Sequence, residues 1–222
     1  INILIDLLSD KIVLLLLMVL QFVTAIIGTL YYSNYKGSFL KYFLLVLWYT
    51  AINDFVSGYF IRYFNGNTVI LYNIYQILVF CYILLLFRSS LSSRKYKKWI
   101  IPFIFTYLCS VVVMSFFDSF RYDYLVNSFI IGAIFIVVSI SLYFSEILRS
   151  DKIIEINYIP LFWISVAMLV YYVPSIPFFV VRKYYVNSPT IPYIFYLNYF
   201  LIFVVNVLYI IGFIWSGKDQ KV

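Results

Sequence analysis

The stretch KIVLLLLMVLQFVTAIIGTLYY, residues 11–32, carries no charge after its leading lysine. A helix needs ~20 apolar residues to cross the hydrocarbon layer of a bilayer. This run meets that length, and six more follow it, at about 38–60, 68–88, 98–118, 124–147, 158–181 and 190–215. The chain therefore reads as all-α, a single seven-helix transmembrane domain covering residues 1–222. The connections between runs are short, about ten residues at most near 88–98 and 148–157, which leaves no room for a soluble domain.

The basic residues alternate between the gaps. With the N-terminus outside, the inner gaps hold Lys36, Lys41, Arg88, Arg94, Lys95, Lys97, Lys98, Arg149, Lys152, Lys218 and Lys221. The outer side keeps Lys11, Arg62, Arg121, Arg182 and Lys183. Basic residues favour the cytoplasmic side, so this split of 11 to 5 predicts an N-outside, C-inside chain with an odd number of spans. Asp6 and Asp10 precede the first run where a signal peptide would carry basic residues.

Composition narrows the function classes. Hydrophobic residues make up 65% of the chain and charged residues 11%, so lipid must solvate most of the surface. The net charge of +7 sits where topology wants it, and anionic headgroups are the expected counter-charge. No basic face with interleaved stacking residues stands outside the runs, which argues against nucleic acid. The chain has no histidine, the commonest metal ligand and acid–base catalyst, and no metal or cofactor is expected. Cys81 and Cys109 fall in mid-span as packing residues.

Aromatic residues near run ends, among them Tyr31, Tyr59, Trp99, Tyr122, Tyr124, Tyr158 and Trp215, read as headgroup anchors, with the mid-span aromatics as filler. Asn65-Gly66-Asn67 signals a tight turn, with Thr68 as the N-cap of the third helix. Pro174 and Pro177 predict a kinked or unwound outer end of the sixth helix.

The candidate site centres on Asp54, the one carboxylate well inside a run. A charge at mid-membrane costs ~2.5–3.5 kcal/mol on insertion scales, so it needs a partner or a purpose. Thr50, Ala51, Asp54, Ser57 and Gly58 form one helical stripe, while Trp48, Ile52, Phe55, Val56 and Tyr59 cover the rest. The small and polar stripe is expected to face the bundle. At ~1.5 Å per residue, Asp54 lies roughly 9 Å from the outer end of its helix. Asn73 and Gln76 lie roughly 8 and 12 Å deep, Asn198 about 12 Å and Gln21 about 15 Å. These side chains either bond helices together or line a polar pocket open to the outside.

Other features are plainer. Asn206 reads as a helix–helix bond donor, and Ser128 with Gly132 as a close-packing contact. Arg88, Arg94, Lys95, Lys97 and Lys98 make a basic inner loop that fixes topology or contacts anionic lipid or an acidic partner. Glu146, Asp151 and Glu155 read as solvated charges. A retinal-type lysine is missing from the seventh run, and Asp54 has no second carboxylate, Lys or His at its depth, so no enzyme activity is expected. A parallel-repeat transporter lacks support, because the first three runs contain no proline.

An acid late in span two, Tyr72-Asn73-Ile74-Tyr75-Gln76 opening span three, Pro160-Leu-Phe-Trp-Ile164 opening span six and Leu208-Tyr-Ile-Ile-Gly212 closing span seven together carry a resemblance. From about residue 38 to 216 the chain resembles a family of small seven-span inner-membrane proteins of the Bacteroidetes, often encoded beside sensor histidine kinases. Members often carry a Glu early in span three, where Gln76 and Leu78 stand here. The resemblance implies a bacterial inner-membrane location and a signalling role with a histidine kinase as partner. The expected function is thus a non-enzymatic sensor or accessory subunit with a pocket around Asp54. A small-solute or proton-coupled transporter is the alternative, and a structural subunit of a larger complex, or a homo-oligomer, a further one.

Overall fold

The computed structural model describes residues 2–64, 67–150, 155–184 and 191–216, with the side chains of 2–11, 60–64, 182, 184 and 191–195 left aside. The Asn65-Gly66 turn, Asp151, Lys152, Lys218, Lys221 and the side chains of Lys11, Arg62 and Arg182 lie outside the described residues. Seven helices follow one another: α1 (Asn2–Leu30), α2 (Phe43–Phe64), α3 (Val69–Ser90), α4 (Arg94–Phe117), α5 (Val126–Ile147), α6 (Pro160–Tyr184) and α7 (Ile191–Trp215). Each is long and apolar enough to cross a membrane, and no strand occurs among the described residues. The protein is an all-α integral membrane bundle.

Short connections make sequence neighbours pack as antiparallel pairs. The chain of contacts runs α1–α2–α3, then α3 with α4 and α5, then α5–α6–α7, and α7 packs back on α1. The result is a closed ring with α4 set against the α3–α5 seam. The α1–α2, α3–α4 and α5–α6 connections share one end, here called the basic end, since Lys36, Lys41, Arg88, Arg94, Lys95, Lys97, Lys98 and Arg149 all sit there.

The mid-span aromatics form a structured core rather than mere filler. Phe80 of α3 has its ring centre 5.4 Å from those of Tyr107 (α4), Phe129 (α5) and Tyr172 (α6). Phe129 in turn meets Phe179 at 4.3 Å, and Phe103 stacks on Phe135 at 4.7 Å. Edge-on and offset ring pairs of this kind stabilise by about 0.5–1.5 kcal/mol each beyond their buried area. Tyr124 joins this cluster against Phe179 at 5.3 Å instead of serving only as a headgroup anchor. Gly132 lets the cluster close: a β-carbon there would overlap the Phe80 ring and come within 2.9 Å of Tyr107.

Three local expectations are revised. Helix α6 continues through Pro174 and Pro177, so its outer end is not unwound; Phe178 and Phe179 on the following turn are buried in the bundle, where protein surrounds the backbone. Thr68 stands at the N-cap of α3 without a side-chain bond, and Asn67 Oδ1 accepts the Val69 N–H at 2.8 Å in its stead. Asn206 donates to Ile202 O on its own helix at 2.8 Å, not across helices.

Candidate functional site

The stripe on α2 falls as its spacing requires. Ala51 and Ser57 are fully buried and Asn53 nearly so, whereas Ile52, Phe55, Val56 and Tyr59 are exposed on the lipid-facing side. Asp54 stands at the edge of the buried face, toward α1. There Gln21 Nε2 donates to Asp54 Oδ2 at 2.8 Å. The Tyr72 hydroxyl of α3 approaches the same carboxylate and also lies beside Ser57. Tyr171 of α6 is within electrostatic reach of Asp54, as is Tyr75 of α3. Tyr75 shares a hydrogen bond of 2.9 Å with Thr50 Oγ1, and Thr50 also donates to Val46 O at 2.8 Å. Four helices therefore meet around one acid whose direct neighbours are an amide and phenols. No ion pair to Asp54 occurs among the described residues.

Of the residues picked from the sequence, Gln21, Asp54 and Ser57 come together. Asn73 and Gln76 turn elsewhere. Asn73 Nδ2 donates to Phe120 O (2.8 Å) and Asp123 O (2.9 Å), and Asn73 Oδ1 accepts from Leu125 N (3.2 Å). This clasps the α4–α5 connection. Gln76 is buried beside Tyr107 of α4. The depth estimate for both matched that of Asp54, but one residue along a helix rotates the side chain by ~100°. Tyr72 and Tyr75 hence face α2, and Asn73 and Gln76, one position on, face α4 and α5. Asn198 is half-buried on α7, and no hydrogen bond among the described residues joins it to Asp54.

Sequence reading missed Tyr72, Tyr75 and Tyr171. The signal was available: a buried tyrosine hydroxyl usually finds a polar partner, and Tyr72 with Tyr75 share a face at i, i+3.

A second feature lies at the basic end. A cavity of about 810 Å³ opens between the α1–α2 and α3–α4 connections and the α5–α6 junction, lined by Ser38, Ser93, Lys95, Glu146, Arg149 and Leu161 among others. Glu146 is more than a solvated charge. Its two carboxylate oxygens accept from Ser92 N at 2.6 Å and Ser93 N at 2.9 Å, which fixes the entry to α4 from the end of α5. An anion at a helix N-terminus is also favoured by the helix dipole. Tyr35, on the α1–α2 connection, donates its hydroxyl to Gly28 O at 2.5 Å. Burial, with Tyr32 nearby, pushes that phenol up to about 12, so it remains a donor at physiological pH.

On the flank of the ring, Leu16, Leu20 and Val23 of α1 and Phe200 and Phe203 of α7 border an apolar groove of about 590 Å³. At the end opposite the basic one, Lys183 Nζ lies 3.6 Å from Asp118 Oδ2 and links the ends of α6 and α4.

No protein-family model, curated protein or solved structure matches this chain.

Proposed function

We propose that this chain is a non-enzymatic membrane sensor or accessory subunit in which the Asp54 cluster binds a small ligand and the basic end contacts a partner. The observation that carries the reading is the Gln21–Asp54 bond with Tyr72 alongside. An intramembrane acid is costly and marks a functional position unless a cation neutralises it, and here its partners among the described residues are the neutral Gln21 and Tyr72. Among the described residues no second carboxylate or lysine bonds to it, and the chain has no histidine, which supports a binding role over hydrolysis. Arg88, Arg94 and Lys98 are exposed at the basic end and suit an acidic partner surface. The resemblance to the Bacteroidetes family supports a bacterial inner-membrane location and a histidine kinase as that partner.

The test is a pair of measurements on the full chain. Photocrosslinking from position 98 in native membranes is expected to capture one defined partner, with a yield changed by Asp54→Asn. Proteoliposomes are expected to show no flux. Solute or proton flux that Asp54→Asn abolishes would overturn the sensor reading in favour of a transporter. The α1–α7 groove supports the third reading, a subunit of a larger complex. On that reading the purified chain alone would be unstable, and a detergent-stable monomer counts against it.

The charge split supports an N-outside, C-inside orientation, which puts the basic end in the cytoplasm. C-terminal reporter fusions are expected to be active with a cytoplasmic reporter and silent with a periplasmic one. The opposite pattern would reverse the orientation.

A further inference from the structure

We propose that the cavity at the basic end is a binding site for a phosphate-bearing anion, with the phosphate held at its rim by Lys95 and Arg149. This inference is independent of the Asp54 cluster and of the partner surface around it.

Three observations support it. The first is size: about 810 Å³ falls in the range of ~300–1,000 Å³ usual for small-ligand sites. The second is unspent polar capacity. Lys95 and Arg149 are exposed at the rim and form no ion pair among the described residues. Among the described residues the lining holds one carboxylate, Glu146, which accepts from two backbone N–H groups. Ser38, Ser90 and Ser150 donate to the carbonyls of Tyr35, Leu86 and Ile147, but among the described residues no bond is made by the hydroxyls of Ser92, Ser93 and Ser145, which line the same space. A phosphate offers several acceptor oxygens, which match two cations and a set of hydroxyl donors.

The third observation is the division of the lining. Its basic residues Lys95 and Arg149 are exposed, while Leu40, Tyr143, Ile147 and Leu161 in the same cavity are buried. An opening of this kind at the end of a membrane bundle accepts a charged head at the rim and an apolar portion below it. Basic pockets between transmembrane helices hold anionic headgroups by the same logic. The phosphate can belong to a membrane phospholipid or to a soluble phosphate ester, and the experiment separates the two.

Purified full-length protein in phosphatidylcholine nanodiscs would be assayed by native mass spectrometry with phosphatidylglycerol as a minor component. In parallel, glycerol 3-phosphate would be titrated and followed by thermal shift. For a lipid site, wild type should retain phosphatidylglycerol over phosphatidylcholine by roughly 30-fold, the effect expected of two basic residues at the headgroup level. The double variant Lys95→Ala/Arg149→Ala should lose that preference. The double variant Lys36→Ala/Lys41→Ala, whose residues lie at the same end but do not line the cavity, should keep it. For a soluble ester, glycerol 3-phosphate should raise the melting temperature of wild type alone, with no lipid preference. The exposed positions of Lys95 and Arg149 make misfolding no obstacle, and circular dichroism checks it. Absence of both effects, or equal losses in the two double variants, would overturn the proposal, the latter by showing diffuse surface charge in its place.

Discussion

Asn73→Ala is expected to lower the stability of the bundle by about 2–4 kcal/mol, measured by denaturant titration in mixed micelles. The amide is buried and serves Phe120 O, Asp123 O and Leu125 N at once. Alanine leaves two carbonyls and an N–H without that partner, and each polar group left unpaired away from water costs roughly 1–3 kcal/mol. Water reaching the connection from outside would lower the sum, which is why the expected total is below a simple addition. Asn198→Ala, at a half-buried position without such bonds among the described residues, is the control and should change little. A loss for Asn73→Ala below about 0.5 kcal/mol would show that the α4–α5 connection holds without its clasp.

Gly132→Ala should destabilise by about 1–3 kcal/mol, and Gly132→Leu by more. The added methyl must displace Phe80, whose ring is itself fixed against Tyr107, Phe129 and Tyr172. No flexible chain end is there to yield. Gly58 offers the contrast, because a β-carbon there meets the Met18 Cε at 2.8 Å, the mobile tip of a thioether. Gly58→Ala should therefore cost much less. A double-mutant cycle pairing Gly132→Ala with Phe80→Leu should recover part of the loss, since the smaller side chain vacates the contested space. Strict additivity would place the effect of Gly132 somewhere other than this contact.

The seven helices were legible because apolar run length is a direct physical demand of the bilayer, and each run overlaps one helix, although α1 starts at Asn2, well before the apolar run at 11. The face of α2 was legible for the same reason, since small and polar residues at helical spacing cannot make a good lipid surface. Gln21 reaches Asp54 from the adjacent helix, although their counted depths differ by several ångströms, because a long amide side chain spans that offset. Depth along a helix can be counted from a sequence, but the angle around it relative to a neighbour cannot. Asn73 and Tyr72 illustrate the difference, as adjacent residues at nearly one depth serving opposite sides of α3. The cavity at the basic end was hidden for another reason. It is built from three connections that only tertiary packing brings together, and its serines read individually as ordinary loop residues.

The pairing of Gln21 with Asp54 has a consequence for biosynthesis. These helices are neighbours in the chain, so α1 precedes α2 out of the ribosome and waits in the bilayer when the acid arrives. The carboxylate can enter as part of a hairpin that already offers it an amide donor, and need not cross alone at ~2.5–3.5 kcal/mol. The seam between α1 and α7 has the opposite timing. Its two sides are the earliest and latest made of these seven helices, so the flank of α1 faces lipid or an insertion factor until α7 closes the ring.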